Sequence, residues 1–80
     1  MNMVVLGSNV FIHGDKLKQA RLHKKFSVEE LAMLATLSTQ QIQQLEEGGI
    51  TAFFSYAWKV RVAKRVGYLL DLPESEFLSE

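Results

Sequence analysis

Four glutamines crowd one short stretch: Gln40, Gln41, Gln43 and Gln44 follow directly on Thr39. A carboxamide donates and accepts at once, which suits the major-groove edge of adenine with its adjacent donor and acceptor. Thr39 adds a hydroxyl for a phosphate or base and a methyl group for thymine. Glutamine is equally a good helix former on a solvated face, so composition alone leaves both uses open. On a helical wheel Ile42, Leu45 and Glu46 share one side with Thr39 at its edge. Gln40 and Gln44 project opposite, flanked by Gln41 and Gln43.

Other chemistry is sparse. The chain has no cysteine, hence no disulfide, thiolate nucleophile or cysteine zinc site. That is compatible with a cytoplasmic location. His13 and His23 have no carboxylate or thiol at metal-ligand spacing and are expected at the surface. Glu29-Glu30 and Glu46-Glu47 are accounted for by capping, ion pairing and solvation, and Gly48-Gly49 by helix termination. The expectation is no catalytic residue, no metal and no cofactor: not an enzyme. The nine cations balance nine acids, which argues against a strongly basic nucleic-acid binder, although a neutral chain can still show one basic face. Five cations lie within residues 16–25 and the rest are Lys59, Arg61, Lys64 and Arg65. Lys16 and Lys18 are the better phosphate candidates in the first cluster, with Lys24 and Lys25 behind them. Ser38, Lys59 and Arg61 join them, although a solvated helix face accounts for at least two of the later four cations. Each true phosphate contact steepens the salt dependence of binding by about one counterion.

The elements that must position these groups are mostly helices. Ser27 precedes Glu30 by three residues and Ser38 precedes Gln41 by three, so two helix starts fit the reciprocal capping box. The helices VEELAMLA and TQQIQQLEE lie close enough to form a helix-turn-helix over 27–48, with Leu31, Ala32 and Ala35 on one face. A first helix is expected from Asp15 to about Lys25, capped near Gly14 or Asp15, with Leu17, Ala20, Arg21 and Lys24 inward. After the apolar connector 50–54, a longer helix runs over about 55–70 to Asp71-Leu72-Pro73, and PESEFL closes the domain with a turn or short helix. Residues 1–13 hold two β-prone pieces, 3–6 and 10–12, around Gly7-Ser8-Asn9, and are expected as a short hairpin or extended arm. Their apolar run lacks the basic start and cleavage pattern of a signal peptide, and no stretch reaches the ~20 apolar residues that span a bilayer. One small all-α domain of four or five helices over 14–80, with a 1–13 arm, is the expected architecture.

The stretch SVEELAMLATLSTQQIQQLEEG resembles the helix-turn-helix of the Cro and phage-repressor (XRE) family, over residues 15 to about 72. Leu31-Ala32, Ser38, Ile42, Leu45, Glu46 and Gly48 carry the match. The resemblance implies a compact lambda-repressor-like fold, double-stranded DNA as partner, and regulation of transcription in bacteria or phage. It places Thr39, Gln40 and Gln44 at base-reading positions, with Gln41 and Gln43 reaching bases or phosphates, and the N-terminal end of that helix in the groove. It also implies a partly buried ion pair between Arg21 and Glu46. Three positions depart from the pattern. Val28 stands where relatives often carry a phosphate-binding glutamine, Thr36 where the turn usually has glycine, and the loop 49–56 has no basic residue.

The segment GGITAFFSYAWKVRVAKRVGYLLDLP is closer in style to the helix-turn-helix domain of RodZ-like cell-shape proteins. There the same scaffold docks to cytoskeletal protein. The basic stretch and membrane helix that continue such proteins are not in this sequence, so a full-length relative is not expected, whereas a protein-docking role is the alternative. An antitoxin that binds a toxin and its own operator is a further variant. In the long helix Tyr56, Val60, Ala63, Val66, Gly67 and Leu70 form the expected core face. Trp58, Val62 and Leu69 line up roughly opposite, next to Arg61 and Arg65. That stripe calls for cover, either by the 1–13 arm or by a second subunit in a homodimer.

Overall fold

The computed structural model describes residues 10–80. Their order is β1 (Phe11–Ile12), α1 (Gly14–His23), α2 (Val28–Ala35), α3 (Thr39–Glu47), α4 (Tyr56–Leu69), α5 (Glu74–Phe77) and β2 (Leu78–Ser79). The described chain is a small, mostly helical domain with one two-stranded sheet.

Both capping boxes form. Ser27 Oγ accepts from the Glu30 amide while the Glu30 carboxylate accepts from the Ser27 amide. Ser38 and Gln41 repeat the exchange. Each box satisfies two amides that a helix start would leave without a partner. α1 has no such cap: it begins at Gly14 after His13, with no side-chain capping bond. The turn from α2 to α3 passes through Thr36 at φ 58° and ψ 49°, the left-handed region. This is the position where glycine is usual, because a Cβ there crowds the following carbonyl.

The core is built by Leu17 of α1, Leu31, Ala32 and Ala35 of α2, Ile42 and Leu45 of α3, Phe53 of the connector, Val62, Ala63 and Val66 of α4, Leu70 and Phe77. Two glycines permit its closest approaches. A Cβ on Gly14 would overlap the carbonyls of Leu45 and Glu46, so the start of α1 rests directly on the end of α3. A Cβ on Gly67 would occupy the space taken by the fully buried Phe77 ring, which seats α5 on α4.

Two expectations change here, and the reading of residues 1–13 gains one pairing. Phe11–Ile12 form a strand whose described partner is the piece 78–79. β1 pairs antiparallel with β2, Phe11 opposite Ser79 and Ile12 opposite Leu78, and residues 3–6 lie outside the described residues. Lys24 is not inward. It is exposed beyond the last turn of α1 and reaches Asp71 at 2.8 Å, because the chain turns away at Lys25 with φ 64°. The stripe Trp58, Val62, Leu69 is not a bare surface either. Val62 is buried, Leu69 is half-buried against the core and only Trp58 stays exposed. α4 is packed on more than one side, so a wheel with a single inward face misassigned it.

Candidate nucleic-acid interface

α3 is held from three directions. From α1, Arg21 Nε donates to Glu46 Oε2 at 2.7 Å and its second terminal nitrogen donates to Oε1 at 3.1 Å. The remaining nitrogen donates to the Phe26 carbonyl at 2.9 Å, which ties the α1–α2 turn into the same group. Both partners are nearly sealed from solvent, with side chains 7% and 4% exposed. The Glu46 hydrogen bonds raise the Arg21 pKa above its ordinary value, against the desolvation of burial. A bidentate pair whose remaining guanidinium nitrogen is also hydrogen-bonded is the form in which two charges can be buried together.

The second hold comes from the connector 48–55. Gly48 and Gly49 end α3 at φ 109° and 105°, and the chain then folds back over the helix. Gln44 Nε2 donates to Thr51 Oγ1 at 2.7 Å, and Gln44 Oε1 accepts from the Ala52 amide at 2.9 Å. Gln41 Nε2 donates to the Ala52 carbonyl at 3.1 Å while its oxygen closes the Ser38 capping box. Thus both polar atoms of both amides serve the connector or the cap. The third hold is Lys59 of α4, 6% exposed, whose Nζ donates to the Gly49 carbonyl at 2.7 Å. Burial lowers the Lys59 pKa from its ordinary value.

These ties sort the residues that the sequence singled out. Thr39, Gln40 and Gln43 are exposed and make no side-chain hydrogen bond among the described residues. Gln41 and Gln44 are half-buried and engaged, so Gln44 does not project opposite the core as the wheel placed it. Ser38 is occupied as a cap. Lys59 is a buried strut and not a surface cation. Its row with Ala63, Val66 and Leu70, spaced four, seven and eleven along the helix, is the signal that would have placed it inward. Lys18 faces Glu47 at 3.8 Å, Lys64 faces Glu74 at 3.9 Å, and Lys16, Arg61 and Arg65 are exposed without an acidic partner among the described residues. Val28 is half-buried against the core, and the first turn of α2 carries the carboxylates Glu29 and Glu30.

No family model, curated protein or solved structure matches this chain. Among the described residues no three His, Asp or Glu side chains are grouped to hold a metal, and no described helix is long and apolar enough to cross a membrane. His13 hydrogen-bonds Ser79 at 2.7 Å and is a surface partner of the sheet.

Proposed function

We propose that this domain binds double-stranded DNA by placing the outward face of α3 in the major groove. Thr39, Gln40 and Gln43 would contact base edges, in a lambda-repressor-like arrangement similar to that of the Cro and phage-repressor family. The observation that carries the reading is the division of α3. Glu46 with Arg21, Gln41 and Gln44 fix the helix, while Thr39, Gln40 and Gln43 are exposed and make no side-chain hydrogen bond among the described residues. A reading surface needs such support, because contacts to base edges discriminate only when their geometry is held. Gln41 and Gln44 then act by positioning the helix and its connector. Phosphate contact falls to exposed cations such as Lys16. Two-fold pairing would set two such helices ~34 Å apart on a symmetric site, consistent with a small cytoplasmic regulator of transcription.

The test is selection from random duplexes, followed by binding at two salt concentrations. The expected result is an enriched, two-fold symmetric motif whose affinity falls by ~1–3 kcal/mol in Gln40→Ala or Gln43→Ala. Absence of enrichment with the fold intact overturns the reading. A protein-docking module is the second reading, favoured by the connector. It has no cation, holds its lysine neighbour buried beneath it, and presents Phe54 at 95% exposure. Loss of a protein partner in Phe54→Ser, with no DNA motif selected, would decide for it.

A further inference from the structure

A second surface lies beside α3 and does not include its outward side chains. A groove of about 410 Å³ opens between the α2–α3 turn and α4. Leu37 and the buried Val62 form its apolar floor, the half-exposed Trp58 indole stands on one wall, and Arg61 and Arg65 line the rim. No acidic residue lines it. The arginines are four apart on one helix, which brings their bases to within ~6 Å on one face. Like Lys16 and Lys25, they are exposed and in no ion pair among the described residues. Lys18, Arg21, Lys24 and Lys64 each face a carboxylate, whereas neither Arg61 nor Arg65 has a partner among the described residues, and residues 1–9 contain no acid.

We propose that this groove docks an acidic amphipathic segment of a partner protein. Two carboxylates about one helical turn apart would pair with Arg61 and Arg65, and an apolar side chain between them would rest on Val62, Leu37 and the Trp58 ring. Charge complementarity selects the occupant: planar guanidinium forks match carboxylates bidentately, and the arginine stems extend the apolar wall. A nucleic-acid backbone would satisfy the guanidiniums but has no aliphatic group for the floor. A second copy of this chain exposes Met33 and Leu34 beside Glu29 and Glu30, but the Glu30 carboxylate is held in the Ser27 capping box, and Phe77 beside Glu74 and Glu76 is fully buried.

Trp58 is the only tryptophan in the chain, so its fluorescence reports the groove directly. The probe is a short synthetic peptide with two glutamates four positions apart and leucine and phenylalanine between them, titrated into the full chain. The expected result is a saturable blue shift of Trp58 emission, with affinity reduced about tenfold or more when both glutamates become glutamine or when Arg61→Gln and Arg65→Gln are combined. Arg61→Glu with Arg65→Glu should transfer preference to the matching lysine peptide. Both positions are exposed, and circular dichroism verifies that the fold persists. Equal binding of the glutamate and glutamine peptides, no emission change at millimolar peptide, or a Trp58 response to random-sequence duplex DNA that Arg61→Gln with Arg65→Gln abolishes each overturns the proposal. Concentration-dependent self-association that alone shifts Trp58 would assign the groove to a second copy and overturn it as well. None of these outcomes depends on Thr39, Gln40 or Gln43, so this proposal and the DNA reading fail separately.

Discussion

Gln41 and Gln44 of α3 give their amides to the cap and the connector, whereas Gln40 and Gln43 beside them make no side-chain hydrogen bond among the described residues. All four are the same residue on the same helix. What separates them is whether a peptide group lies within reach. Around Gln44 the connector supplies an amide and a hydroxyl that folding removes from bulk water, and a carboxamide can satisfy both. Gln40 is exposed and bonds to none of the described side chains, so its carboxamide can meet a ligand. The difference teaches that neighbouring residues of one polar type can divide between holding a helix in place and offering it for recognition.

The hardest blow to the fixed set is Glu46→Ala, which leaves Arg21 buried without its carboxylate. A loss of ~3–5 kcal/mol in urea denaturation is expected, with part of it restored when Arg21→Met is added. A loss below ~1 kcal/mol would show that the pair does not hold α3. Gln44→Ala comes next. It strands the Ala52 amide and should cost ~1–3 kcal/mol, with faster hydrogen exchange confined to the connector. Lys59 gives a smaller effect with a definite sign. Its pKa is lowered by burial, so between the folded value and the usual lysine value the unfolded chain binds more protons at this position. Stability should therefore rise with pH in that alkaline window, and Lys59→Met should remove that component of the slope. The smallest effect belongs to the free set. Gln40→Ala and Gln43→Ala should change stability by no more than ~0.5 kcal/mol. If they cost as much as Gln44→Ala, the contrast between the two sets collapses.

What was legible in the sequence was what is local. The two capping boxes span three residues each, and a serine with its Glu or Gln partner is visible at that range without any tertiary context. The inward face of α3 was legible for the same reason, since Ile42 and Leu45 repeat at helical spacing. The Arg21–Glu46 pair spans 25 residues and was suggested by resemblance, not by periodicity. The connector ties were not legible. Gln44 and Lys59 bond to backbone or hydroxyl groups whose positions depend on how Gly48 and Gly49 redirect the chain, and backbone acceptors leave no mark in a side-chain pattern. The pairing of β1 with β2 was equally hidden, because strands of two residues are too short to show alternation.

That small sheet has a kinetic consequence. The His13 amide donates to the Phe77 carbonyl at 2.7 Å, and the His13 ring meets Ser79, 66 positions further along the chain. Closing so long a loop for so few bonds is unfavourable until the helices between have docked. The strands should therefore join late in folding and separate first in unfolding, so that substitutions at Ile12 or Leu78 accelerate unfolding while leaving the folding rate nearly unchanged.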